Sequence, residues 1–395
     1  MTRLDAPRVA VVGAALADGR SAALQHDTTL LVDGDRIAGL WTDGSAPDPG
    51  ELNATILDGS GATIVPGLVD SHAHLSMPGG AQWVQRGLDP SDELLDTGED
   101  NGAAMVRAGI RWARDVGAPR GDDGRALSLV LRDRWTGQHD RPYVRAAGTW
   151  LTKAGSLPHG LAVELEHAAD LAEAVAAQLD AGADLVKLYL DGPDADTAPF
   201  STNEVRAAVE LAHARGAKVA AHSSVLAGAR VGADAGVDSI EHGFTLDRDT
   251  AESLASNRVT LVSTLAVLHS WQTFGATTQL DRFTGPDASS RIAQRREQAE
   301  HSVRLAHDAG VAIAAGSDFG GGSLRANQLA WEVEALVTAG IEPHVALAAA
   351  TWRGGELIGI DGAGRIERGG PAHFSLVHGD PLSDPSSLWR IWLTR

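Results

Sequence analysis

Four stretches of the chain, LDAGADLVKLY (179–189), HARGAKVAAHS (213–223), ADAGVDSIEHG (233–243) and HDAGVAIAAGSD (307–318), repeat one pattern. Each closes a helical segment on a small residue and Gly, runs through a short apolar strand, and delivers Lys187, His222, His242 or Asp318 at or near its end. Glycine suits the left-handed residue that stops a helix, because it has no Cβ to clash there. A fifth unit, VRAGIRWARDVGAP (106–119), has the same form and ends on Asp115. The segments between them, such as DLAEAVAAQLDAG (170–182) and TNEVRAAVELAHARG (202–216), carry helical apolar spacing, the second opening on a Ser201 or Thr202 cap with Glu204 in its first turn. One strand and one helix in alternation predict the α/β class and a closed (β/α)8 TIM-type barrel.

On either side of these repeats the texture changes. Residues 7–62 alternate short apolar runs with Gly, Asp and Pro turn signals and contain no helix-period stretch, which predicts antiparallel hairpins. After EPHVALAAATWRGGELIG (342–359) the chain returns to β texture through GRIERGGPAHFSLVHGDPLSD (364–384) and SLWRIWLTR (387–395). Neither terminal piece can bury a sheet face alone. The expected organisation is therefore a composite β-sandwich from residues 1–62 and 363–395, flanking a metal-binding barrel over residues 63–362.

Composition narrows the function classes. With 395 residues and 43% hydrophobic content the chain can bury a full core. A net charge of −19 argues against nucleic acid or an anionic membrane as partner and favours a small-molecule substrate. A homo-oligomer stays open. There is no cysteine, so any metal must be held by His, carboxylate or a modified Lys. No apolar run reaches the ~18 residues that span a bilayer, and the opening residues lack a signal-peptide pattern, so the expected location is cytoplasmic.

The strand GATIVPGLVD (61–70) runs directly into Ser71, His72, Ala73 and His74. Residues i and i+2 of an extended chain share a face, so His72 and His74 can aim at one point. Barrel strands open on one face at their C-terminal ends, where active sites sit. Each of these residues has an ordinary alternative, as a solvated His, a paired Lys or a helix-capping Asp. Jointly, five successive strand ends carrying only His, Lys or Asp point to a metal centre. Imidazole and carboxylate suit zinc and similar divalent ions. An ammonium among them would be repelled, whereas a neutral buried amine at Lys187 can add carbon dioxide and become a carbamate able to bridge two metals.

In these motifs the chain resembles the amidohydrolase superfamily, specifically its binuclear, carboxylated-lysine group with imidazolonepropionase-like and Xaa-Pro dipeptidase-like members. IVPGLVDSHAHL (64–75) is similar to that family's first-strand signature, AGADLVKLYLDG (181–192) to the fourth, KVAAHS (218–223) to the fifth, DSIEHGF (238–244) to the sixth and AAGSDFG (314–320) to the eighth. The resemblance implies that His72, His74 and Asp318 bind one divalent metal, His222 and His242 the other, with carboxylated Lys187 between them and zinc as the first candidate ion. It also implies hydrolysis of a C–N amide bond by a metal-bridging hydroxide, with Asp318 as general base and acid. Gly370, His373 and the stretch TWRGGELIG (351–359) depart from the family pattern outside the metal centre.

Two substrate contacts are expected. His159 matches a loop residue after the third strand, and Tyr189 shares the inward face of Lys187, where its hydroxyl can hold a carboxylate or amide oxygen. Trp83, Trp271 and Phe274 lie in expected barrel-mouth loops and can line an aromatic pocket or simply pack there. The run GGGS (320–323) is expected to be a mobile loop, since it lacks the Lys of a phosphate-binding loop. The favoured substrate is an N-acyl amino acid, dipeptide or related amide. The alternatives are an ester or lactone hydrolase using the same centre, a mononuclear deaminase, disfavoured by Lys187 and by Val225 where a Glu is expected, and a metal-free scaffold.

Overall fold

The structure, a computed structural model, describes residues 2–3, 7–322 and 324–395; the first residue and residues 4–6 of the expected sandwich, and Ser323 of the glycine run, lie outside them. Eight parallel strands form the barrel: Leu68–Ala73, Ile110–Asp115, Tyr143–Ala146, Leu185–Tyr189, Lys218–Ser223, Ser239–His242, Thr260–Ser263 and Ile313–Ala315. The first three pair with one another, and the last five do the same. Parallel bridges from Ala147 to Leu185 and from Ala73 to Phe319 join the two groups and close the ring.

Local sequence explains the elements. Gly182, Gly216, Gly236 and Gly310, which end the helical segments of the repeats, all have positive φ. Ser201 caps the helix Thr202–Ala214 in a reciprocal capping box with Glu204. The strand Leu185–Tyr189 is buried along all but its last residue, as expected of a sheet with helices outside and side chains within. Two positions before Lys187 and His222 on the same strands, Leu185 and Ala220 pack with Val116 and Ala147 in an apolar layer. That layer gives the polar end of the barrel a dry floor.

The segment after His242 departs from expectation. The strand Thr260–Ser263, preceded by the helix Arg248–Ser256, lies between the His242 and Asp318 strands and ends on Ser263 and Thr264. The ligand-bearing strand ends are thus not successive, because this strand and the second and third of the ring intervene. Its unit has no Gly stop, since the helix ends at Asn257 and Arg258 takes the positive φ, and so it escaped the repeat.

Both termini build one flanking sheet. Its strands run in the order Thr2–Arg3, Ile391–Thr394, Phe374–His378, Ala62–Pro66, Arg8–Leu16, Gln25–Asp33 and Arg36–Trp41, with Thr55–Asp58 added beside Arg8–Leu16. Val11, Leu30, Ile64, Phe374, Leu376 and Leu393 from both ends of the chain share one apolar cluster. The strand Ala62–Pro66 belongs to this sheet by pairing and leads through Gly67 into the first barrel strand. Among the described residues no helix is long and apolar enough to cross a membrane.

Candidate metal centre

Asp318 is the hub of the site. Its Oδ1 lies 3.3 Å from Nε2 of His72 and 3.3 Å from Nε2 of His74, and its Oδ2 lies 3.9 Å from Nδ1 of His242. Ligand atoms of His72, His242 and Asp318 fall within 4.8 Å of one another. His222 packs edge-on against His242, ring centroids 4.5 Å apart. Lys187 is 2% exposed and lines the same cavity. Six residues that sequence reading assigned to one centre are therefore brought together, with His222 at its edge.

The far side of each imidazole decides what its near side can do. His72 Nδ1 lies 2.6 Å from Glu241 Oε2, and His74 Nδ1 lies 2.8 Å from the Gly117 carbonyl. Both partners accept, so the ring proton sits on Nδ1 and leaves Nε2 as a lone-pair donor facing Asp318. The His72 Nε2 atom is buried without a hydrogen-bond partner. A buried, unsatisfied ring nitrogen beside a carboxylate is costly unless something completes it. A divalent cation fits that demand, because neutral imidazole nitrogens and a carboxylate oxygen are its preferred donors. His242 Nδ1 bonds Thr264 Oγ1 at 2.8 Å, and His222 Nε2 bonds Asp191 Oδ2 at 3.1 Å.

Burial and charge set the protonation states. Burial, followed by the nearby Lys187 charge, holds His72 below its ordinary pKa, and burial does the same for His242. Both rings are thereby kept neutral at pH 7. Burial alone would raise Asp318, but the surrounding His72, His74 and His242 outweigh it and hold the carboxylate well below its usual range. Burial also lowers Lys187 to about 8, against the opposing pull of Glu241 and Asp318.

Strain marks the same spots. His242 and Asp318 have φ of 73° and 51°, the left-handed region that disfavours residues with a Cβ. Such conformations cost about 1–3 kcal/mol and persist only where surroundings over-determine them. Here the Asp318 N–H donates to the His72 carbonyl at 2.8 Å and the Gly322 N–H to the Asp318 carbonyl at 2.7 Å. Strand alternation gives Glu241 the inward position, bonded to Arg114 and His72, so the turn at His242 is what brings its ring to the cavity.

Several site residues escaped the sequence reading. Glu241 holds His72 and is itself held by Arg114 Nη2, at 2.7 and 2.9 Å from its two oxygens. Asp115 accepts from the Leu75 and Gly117 N–H groups, Asp70 accepts from Ser317, and burial raises both carboxyls to about 6. Asp191 bonds His222, Ser223 and Ser224. Its place two residues beyond Tyr189 on the Lys187 face was the signal that could have found it.

The cavity above the centre holds about 220 Å³. Tyr189 lines it, stacked on His222 at 4.1 Å and 11°. Burial pushes its phenol up to about 12, which keeps the hydroxyl a donor. Trp83 and Trp271 also line the cavity, whereas Phe274 packs on Phe283 instead. His159 is not a lining residue; its side chain is 96% exposed and bonds Glu164 at 2.6 Å, while its loop contributes Leu157 and Leu161 to the wall. Gly321 and Gly322 of the glycine run pack against the centre. A Cβ on Gly321 would meet the His74 ring at 2.3 Å, and one on Gly322 would meet the Asp318 carboxylate at 2.3 Å.

The sequence profile of the amidohydrolase family matches residues 63–391. An uncharacterized protein of Mycobacterium tuberculosis is 33% identical over 315 residues, covering 78% of this chain and 77% of that one. An imidazolonepropionase of Streptomyces griseus is 42% identical over 64 residues, 16% of this chain and 15% of its own. Among solved structures, a Xaa-Pro dipeptidase with methionine bound in its active site superimposes with a TM-score of 0.82 at 25% identity, covering 97% of both chains. An ochratoxinase from A. niger superimposes with a TM-score of 0.78 at 18% identity over 98% of this chain and 94% of its own, a likeness of fold alone.

Proposed function

The chain belongs to the amidohydrolase family, and from that premise we propose that it is a metal-dependent hydrolase of a C–N amide bond in a small substrate bearing a carboxylate. The observation that carries this reading is the buried, unpartnered Nε2 of His72, which converges with His74 and His242 on the single carboxylate of Asp318. His72, His74 and Asp318 would hold one divalent ion and His222 and His242 a second, with zinc the first candidate. Bound there, such ions supply the Lewis acidity that polarises a carbonyl and makes water nucleophilic near neutral pH.

The chain's own groups do the rest. Asp318 is ionised and placed to take a proton from the attacking water and return it to the departing nitrogen. Lys187, lowered to about 8 by burial, holds a fraction of its amine neutral near pH 7, and this form adds carbon dioxide to give a carbamate and a released proton. Glu241 and the Gly117 carbonyl keep His72 and His74 in the tautomer that donates inward. Trp83, Trp150 and Trp271 offer an apolar wall for the uncharged half of the substrate. The likeness to a Xaa-Pro dipeptidase supports a dipeptide or N-acyl amino acid as the class.

The test pairs elemental analysis with a substrate panel. About two divalent ions per chain, activity lost to a chelator and regained with zinc, manganese or cobalt, and turnover of dipeptides or N-acyl amino acids are expected. Protein that takes up no metal sinks the metal reading. Turnover confined to esters or lactones would replace the amide assignment with the alternative that uses the same centre.

A further inference from the structure

We propose that Arg295, seconded by Arg282, is the group that recognises the substrate's carboxylate at the cavity mouth and so selects which amides are cleaved. The inference rests on the amide-hydrolase reading and adds the residue that sets its specificity. In a chain of net charge −19, the cavity wall carries two cationic side chains among the described residues, Lys187 at the floor and Arg295. Arg295 stands on the helix Ala288–Asp308, its guanidinium carbon 5.4 Å from the Phe244 ring centre and 5.9 Å from that of Trp271. Arg282, from the short helix Asp281–Thr284, lies 5.0 Å from the same Trp271 ring and 5.8 Å from Trp83.

Two guanidinium groups thus share one indole, each repelling the other, and neither makes an ion pair among the described residues. Asp191, whose charge reaches Arg295, is already engaged by His222, Ser223 and Ser224. An arginine parked on aromatic faces keeps its N–H fork free, and that fork matches a carboxylate in bidentate fashion. Tyr189 presents a hydroxyl donor to the same cavity. An incoming carboxylate would relieve the repulsion between the two arginines and gain donors from Arg295 and Tyr189. Its apolar half would lie among the tryptophans.

The experiment compares kcat/KM of the metal-loaded enzyme on N-benzoyl amino acids and Ala-Pro with that on their C-terminal carboxamides. Loss of a hydrogen-bonded charge pair corresponds to about 10- to 100-fold, so wild type should prefer the acids by that factor. In Arg295→Met the preference should collapse toward one, with the loss carried by KM. Arg295→Lys should keep part of it, because a point charge replaces the fork, and Arg282→Met should reduce it less. Independently of turnover, tryptophan quenching by N-benzoylglycine should report a Kd about tenfold or more weaker in Arg295→Met, with an unchanged melting temperature showing intact folding. A wild type that cleaves acids and carboxamides alike, or an Arg295→Met that keeps the preference, overturns the role of Arg295 and leaves the amide reading standing. A wild type that cleaves neither series overturns the amide reading, and an unchanged Kd for N-benzoylglycine then overturns the Arg295 site as well.

Discussion

Replacing Glu241 by Gln tests the reasoning that the centre is held from behind. Glu241 is fully buried, and its carboxylate is shared by Arg114, at 2.7 and 2.9 Å, and His72, at 2.6 Å. Burial alone would raise this carboxyl, but the Arg114 guanidinium overrides it and holds the group well below its usual range, so it is ionised at pH 7. Glutamine removes the charge while keeping the shape, and its amide N–H₂ must confront either Arg114 or the His72 Nδ1–H. Removing one partner of a buried ion pair costs about 3–5 kcal/mol. For 395 residues, an unfolding entropy of about 0.8 kcal/mol/K converts that cost to a Tm drop of about 4–6 °C, read by calorimetry on chelator-treated protein. Where the amide carbonyl turns to the donor-only Arg114, the N–H₂ faces His72, which then loses its acceptor and the tautomer that donates inward, and metal affinity should fall about 10- to 100-fold. The double variant Arg114→Met, Glu241→Met removes both charges and should regain much of the stability without regaining metal affinity. If Glu241→Gln keeps its Tm within about 1 °C and its metal affinity within about twofold, the supporting network has no such role.

Lys187→Ala should lower metal occupancy from two ions toward one or none and abolish turnover, with partial rescue by acetate or propionate. Lys153→Ala and Lys218→Ala should change neither, and retention of both metals by Lys187→Ala would refute the carbamate bridge. Burial raises Glu332 to about 8, despite hydrogen bonds from Ser263 Oγ and the Ala266 N–H. The folded state therefore holds a proton that the unfolded chain releases above about 4.5, and its stability contribution is lost as pH rises through about 8. Glu332→Gln should remove that loss, so its stability relative to wild type should rise between pH 5 and pH 8 in urea titrations; parallel curves would show that Glu332 is already ionised in the fold.

The barrel was legible because its units repeat a strong local grammar. Gly182, Gly216, Gly236 and Gly310 stop helices in a conformation their neighbours would resist, and each is followed by a buried strand. His72 and His74 were visible as a pair because strand alternation places i and i+2 on one face. The strand Thr260–Ser263 was not, since its helix ends without such a glycine, and His159 was placed in the site by a partial motif match that says nothing about where its loop turns.

Other features were decided only when distant segments met. Glu241 sits beside His242 in sequence, yet the two side chains take separate tasks because the positive φ at His242 turns its ring toward the cavity while Glu241 goes to Arg114 and His72. That the glycines at 321 and 322 leave room for His74 and Asp318 shows only in three dimensions. Arg282 and Arg295 carry no signal in the sequence; it is their helices that bring both against Trp271. Sequence alone determined which residue types stand at strand ends, because that follows from local periodicity. Tautomer, strain and the charge at the cavity mouth depend on atoms many residues away and exist only in the folded chain.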